Sequence, residues 1–143
     1  PVPLEKEMFQ RAGEWFRNSG MMTAFRALAE SRRAVVLTSD HGTVRVATSA
    51  EVFCQEEKSP HPRVKIGPNI SCDERQALFV ESPQQYGLPG ETGELAYAIA
   101  KEKFYFVYPN KFQYFVTQFK DQMVSGGLSM QEMIVPLATL TPR

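Results

Sequence analysis

The sequence predicts an α/β fold: a sheet flanked by helices, with an irregular β-rich insertion. Three observations support this. Apolar residues recur at helical spacing twice near the start and once near the end. Between them lies a short apolar run without alternation, Val35-Val36-Leu37-Thr38. From about Ala47 to Gly93 the chain holds half of its ten prolines and only short apolar pieces.

Leu4, Met8, Phe9, Ala12, Trp15 and Phe16 fall on one face of a helix, with Glu5, Lys6, Arg11 and Arg17 on the other. Asn18-Ser19-Gly20 breaks it, and Met21, Met22, Phe25, Leu28 and Ala29 form a second stripe ending at Ser31-Arg32-Arg33, a basic ending suited to a helix C-terminus. Ala34–Thr38 is too short for a helix and rich in β-branched Val, so it reads as a strand. Its lack of alternation predicts a central strand covered on both faces. Thr43-Val44-Arg45-Val46 alternates as a half-exposed strand.

The whole of 1–143 reads as a single domain, with 47–93 as an insertion or cap segment of short β pieces such as Ala77–Val80. Leu95–Ala100 and Phe104–Tyr108 are expected to pair around Lys101-Glu102-Lys103. Phe112, Phe115, Val116, Phe119 and Met123 form a third helical stripe, stopped by Ser125-Gly126-Gly127. Ser129 and Glu132 have capping-box spacing. Met133–Leu140 closes the chain as an apolar strand, with Pro136 at an edge or bulge.

Composition narrows the function. With 43% hydrophobic and 22% charged residues the chain can bury a real core. Sixteen basic residues balance sixteen acidic ones, so no global field draws in nucleic acid or anionic lipid, and any phosphate site must be local. No run approaches the roughly 18 apolar residues of a membrane span. The first residues, Pro-Val-Pro-Leu-Glu-Lys-Glu, lack signal-peptide features and an initiator Met, as expected of a processed or excised piece. Cys54 and Cys72 are isolated and read as free buried thiols, which suits a reducing cytoplasm.

The strongest chemical signal is Asp40-His41-Gly42, at the carboxyl end of the first strand. Ligands of open α/β sheets collect beyond strand carboxyl ends. A carboxylate oxygen and a neutral imidazole together suit Zn²⁺, Mn²⁺ or a related divalent ion, and Gly42 permits the sharp turn that aims both inward. The same tripeptide also reads as an Asx-type turn in which Asp40 accepts from the Thr43 amide. Only one other histidine, His61, is present to complete a ligand set, and nothing in the spacing of Cys54, Cys72 and Asp73 recommends them.

The run V-V-L-T-S-D-H-G-T-V-R-V resembles the metal-binding strand of the alkaline phosphatase superfamily, and within it the PglZ domain. The ending M-V-S-G-G-L-S-M-Q-E-M-I-V-P-L resembles the PglZ closing motif, in which His-Gly-Gly precedes a Ser, an acidic pair and an apolar strand. R-V-K-I-G-P-N and F-Y-F-V-Y-P-N-K-F-Q-Y-F are similar to the output domain of PorX-type response regulators. The resemblance spans nearly the whole chain.

It implies the C-terminal portion of an alkaline-phosphatase-like sheet and part of a two-metal site. Asp40 and His41 match the pair that binds the metal beside the nucleophile. Ser125 stands where the family usually has a histidine ligand for the second metal. The Thr or Ser nucleophile and further ligands lie on earlier strands of the family, so the chain is expected to be the C-terminal half of the domain, without its nucleophile. In the complete domain, a metal-activated hydroxyl would displace at phosphorus through a covalent phospho-enzyme.

Arg63 and Lys65, near Lys58 and His61, form the local basic cluster. Arg63, Lys65 and Asn69 resemble a family stretch that caps the active site, which implies phosphate or nucleotide contact. On composition alone they also read as a solvated loop balanced by Glu56 and Glu57. The aromatic series Phe104–Phe119 reads as core packing rather than base stacking, because it follows a helix stripe and lacks interleaved Arg and Lys. Met21-Met22 reads as core, or as an oligomer face.

The expected function is the C-terminal part of a metal-dependent phosphodiesterase or phosphatase, with zinc as its metal, serving as the output domain of a cytoplasmic response regulator and inactive as this fragment. Its expected partners are a phosphate ester or nucleotide-type substrate, the missing N-terminal half and a second copy of itself, with no membrane. The alternative is a non-catalytic regulatory or interaction module with a degenerate metal site.

Overall fold

A computed structural model of the chain describes residues 5–56, 59–90 and 93–142. Leu4, Glu57 and Lys58, which the sequence reading invoked, lie outside the described residues. In chain order the elements are α1 (Glu5–Asn18), α2 (Gly20–Glu30), β1 (Val35–Thr38), β2 (Val44–Arg45), β3 (Thr48–Phe53), β4 (Val64–Gly67), β5 (Ser71–Cys72), β6 (Ala77–Val80), β7 (Ala96–Ala100), β8 (Phe104–Val107), α3 (Phe112–Phe119), β9 (Met123–Val124), α4 (Met130–Met133) and β10 (Leu137–Leu140). This is a mixed α/β chain, as the sequence predicts. No helix among the described residues is long and apolar enough to cross a membrane.

The chain divides into two compact units: Pro1–Asp40 with Val135–Arg143, and His41–Ile134. In the first, Ser19 ends α1 and caps α2, its hydroxyl accepting from the Met21 amide at 3.3 Å. The Phe16 and Phe25 rings join the two helices, 5.7 Å apart. β1 pairs antiparallel with β10, Val35 opposite Leu140 and Thr38 opposite Leu137. This corrects the expectation that β1 is covered on both faces. Its burial alternates, and Val36 is 62% exposed. A four-residue apolar run cannot by itself distinguish a central strand from one with a single β partner.

The second unit holds every fully buried hydrophobic side chain among the described residues. Two three-stranded sheets, β5-β3-β8 and β4-β7-β6, enclose a core of Ala50, Val52, Ala77, Ala98, Ala100 and Phe106. β8 alternates between two cores: Phe104 and Phe106 face this one, while Tyr105 and Val107 join Val44, Val46 and the α3 side chains Phe115, Val116 and Phe119. The both-face burial expected of β1 therefore belongs to β8. Most of the aromatic series packs as core, with Phe115 and Phe119 stacked at 5.8 Å, but Phe112 and Tyr114 are exposed.

β7 and β8 do not pair with each other, contrary to expectation. β7 sits between β4 and β6, and β8 runs parallel to β3. The Lys101–Lys103 link, with Glu102 at φ 39°, carries the chain from one sheet to the other. α3 also ends earlier than its stripe suggests. Lys120 is extended and Asp121 has φ 67°, so Met123 falls on β9 opposite Arg45. The stretch 47–93 supplies four of the six strands in the two larger sheets.

Candidate functional site

Asp40 is exposed just beyond β1, and the Ser39 hydroxyl reaches its Oδ1 at 3.5 Å. The division between the two units falls between Asp40 and His41. His41 is exposed, and its Nδ1 lies 3.0 Å from the carbonyl oxygen of Gly42. A carbonyl only accepts, so this bond requires the proton on Nδ1. Metal-bound histidines commonly have this arrangement, one nitrogen donating to a carbonyl and the other facing the ion.

Gly42 is fixed by contact. Its amide donates to the Glu132 carbonyl at 2.9 Å, and a Cβ there would lie 1.8 Å from the carbonyl oxygen of Gln131. The turn after β1 and the chain at α4 are thus in backbone contact within the second unit.

Glu132 is buried, and its carboxylate gathers donors from two directions. Oε1 accepts from Arg63 Nε at 3.0 Å and from the Gly127 amide at 2.9 Å. Oε2 accepts from the Ser129 amide at 3.0 Å, the Ser129 hydroxyl at 2.6 Å and Arg63 Nη2. The Ser129–Glu132 capping box forms as its spacing predicts. Burial pushes the Glu132 carboxyl up, but the hydrogen bonds from Arg63, Ser129 and Gly127 together outweigh it and hold the group below the usual carboxylate range.

Arg63 is 0% exposed. Beyond its fork onto Glu132, its Nη1 donates to the carbonyls of Lys101 and Phe104. A Cβ on Gly127 would fall 2.0 Å from Arg63 Nη2, so only glycine fits under the guanidinium. The residue expected to grip a phosphate has its donors engaged inside the protein. Lys65 is also buried: its Nζ donates to the Ser59 carbonyl at 3.3 Å and lies 5.0 Å from the Tyr108 ring centroid. Asn69 is exposed at φ 51°, and its amide donates to Gln55 at 3.0 Å. The three residues read together as one patch therefore have three different surroundings.

His61 is half-buried and stands over Gly126, where a Cβ would meet its Cε1 at 2.9 Å. Its Nδ1 accepts from the Arg63 amide at 3.2 Å, so the neutral ring carries its proton on Nε2, the opposite tautomer to His41. Burial, then the charges of Lys65 and Arg63, lower its pKa, against a smaller pull from Glu132. The ring over Gly126 is thus a neutral hydrogen-bond donor, poorly suited to binding a metal through Nε2. Burial also pushes the Cys72 thiol up to about 11, and neither Cys54 nor Cys72 is in a disulfide.

A family model described as the BREX system PglZ alkaline phosphatase-like domain matches residues 5–140. The chain belongs to the PglZ family. No curated protein matches it. PglZ domains are alkaline-phosphatase-like, a class that is generally metal-dependent and acts on phosphate esters. Asp40 and His41 have donor chemistry suited to such an ion, and the His41 tautomer fits. The set is incomplete, however: among the described residues no three His, Cys, Asp or Glu side chains gather to hold a metal. A catalytic zinc takes three protein ligands, so Asp40 and His41 would need a further donor to hold one.

Sequence reasoning singled out Asp40, His41, Ser125, Arg63, Lys65 and Asn69. It noted Glu132 only as a cap, and the pairing of Arg63 with Glu132, 69 residues away, left no local signal.

Proposed function

We propose that this PglZ chain is part of a phosphoester-cleaving module in which Asp40 and His41 are two donors of a divalent site, with zinc as the ion. One observation supports this most. The two motifs that define the resemblance are bonded to each other, the Gly42 amide to the Glu132 carbonyl at 2.9 Å. Other donors would have to complete the site. Arg63 and Lys65 serve in this reading as buried supports, and Asn69 remains the exposed candidate for a substrate contact. A cytoplasmic response-regulator setting, a nucleotide-type substrate, a complementary N-terminal half and a homo-oligomer belong to the same reading and rest on the resemblance alone.

The test is a zinc titration followed by calorimetry and by histidine ¹⁵N NMR. Zinc should shift His41 Nε2, leave His61 unmoved, and lose its effect in Asp40→Ala. Equal, negligible binding by both proteins removes Asp40 and His41 as ligands. In the parent protein, Asp40→Ala should abolish turnover of a chromogenic phosphodiester.

Ser125 favours a second reading, a non-catalytic module with a decayed site, because a hydroxyl is a poor zinc ligand beside an imidazole. If Ser125→His in the parent restores neither metal nor turnover, this second reading is preferred.

A further inference from the structure

We infer that Arg63 and Glu132 are positioning residues: a buried clasp that fixes the Gly42 turn and the Ser125–Gly127 loop in register. The functional part of this inference rests on the reading above. Its structural part does not.

Two charges taken out of water lose hydration that their mutual attraction only partly restores, and an apolar pair of similar volume is often as stable or more so. The side chains here are 0% and 2% exposed, so desolvation is nearly complete. Net stability is therefore a poor account of why an arginine and a glutamate occupy this place.

An apolar pair could fill the same volume, but it could not address several backbone groups at once. The Glu132 carboxylate holds the Gly127 amide on one oxygen and the Ser129 amide and hydroxyl on the other. The main-chain carbonyl of the same residue holds the Gly42 amide. Arg63 orients that carboxylate with a two-nitrogen fork, and the Lys101 and Phe104 carbonyls anchor the guanidinium in turn. One residue thus reads both motif loops, and its partner ties it to the end of β7 and the start of β8.

The close contacts agree. Gly127 lies against the guanidinium and Gly42 against the α4 backbone, each too near for a Cβ. Loops held at such distances can carry His41 and Ser125 at a fixed spacing, which a phosphoryl site needs and a stable core alone does not.

The test separates position from stability. Singly truncated variants such as Glu132→Ala leave an unpaired buried charge and are expected to unfold. The informative variant is the double Arg63→Met/Glu132→Leu. It should unfold cooperatively at a urea midpoint close to that of the natural chain. Its Gly42, Gly127 and Ser129 amides should nevertheless exchange with solvent at least tenfold faster, while the Ala98 amide of β7 stays unchanged. Should the double variant fail to fold, Glu132→Gln keeps the shape and one acceptor oxygen. In it the Gly127 and Ser129 amides should still accelerate relative to Ala98. Unchanged protection of those amides in the folded variant overturns the clasp.

Zinc titration of the same proteins addresses the functional part. If the natural chain binds zinc, the double variant should bind it at least tenfold more weakly, and equal affinity would remove the link to the site. If the natural chain binds none, the reading of Asp40 and His41 fails, and amide exchange alone still judges the clasp.

Discussion

At Gly42 a methyl group would enter the carbonyl of Gln131, whereas at Gly13, inside α1, it would make only ordinary contacts 3.6 Å or more from the Arg17 side chain. The same substitution should therefore have opposite signs. Gly42→Ala is expected to lower stability by about 2–3 kcal/mol through overpacking. Gly13→Ala should raise it by about 0.5–1 kcal/mol through helix propensity. Urea unfolding of both variants measures this. Residue chemistry also sets the response to acid. His61 has a folded pKa below its ordinary 6.5, because it is buried and faces Lys65 and Arg63, with Glu132 opposing. The unfolded chain takes up that proton first, so stability holds above about pH 6.5 and falls as pH drops below it. A second decline starts below about pH 4.5, where the unfolded chain protonates the Glu132 carboxyl that the folded state keeps ionised. His61→Gln should remove the upper decline and leave the lower one, read from urea midpoints across pH.

Among the elements, β8 and β1 make the useful contrast. Both read as short apolar runs, but β8 is covered by a second sheet on one face and α3 on the other, while β1 has β10 as its strand partner. Phe106, 1% exposed at the centre of β8, should cost about 3–5 kcal/mol on truncation to alanine. Val36→Thr on β1 keeps the β-branch on an exposed site and should stay within about 0.5 kcal/mol. Similar losses at both positions would contradict the burial difference. α4 shows how little local sequence a working element needs. It spans four residues, and its capping box gives it a side chain that reaches Arg63, the residue just before β4.

For the molecule as a whole, the two units differ in how much they bury. Every fully buried hydrophobic side chain among the described residues falls between Val44 and Val107, and none in the unit formed by the two ends of the chain. Protection against amide exchange follows burial and contact density. The slowest amides are therefore expected on β3, β7 and β8, and those of α1, α2 and β1 should exchange faster. A hydrogen-exchange map with the helical pair as the most protected region would refute this.

Local patterning was enough to identify α1, α2, α3, the capping box, β1, β2, β6, β7, β8, the later half of the expected Met133–Leu140 strand and the two motif turns, but not β3, β4, β5 or β9. Each depends on spacing within a few residues: period 3.6 for a stripe, three residues for a cap, glycine for a close turn. The family, too, was legible from the two end motifs. Which strand is covered twice, which sheets β7 and β8 join, and whether Arg63 faces water or Glu132 were not legible. Those outcomes depend on partners tens of residues away, and a run such as Arg63-Val64-Lys65 looks the same whether its cation is solvated or buried. Tertiary packing decided it by bringing a carboxylate and two carbonyls to the guanidinium, the one circumstance in which burying that charge is tolerable.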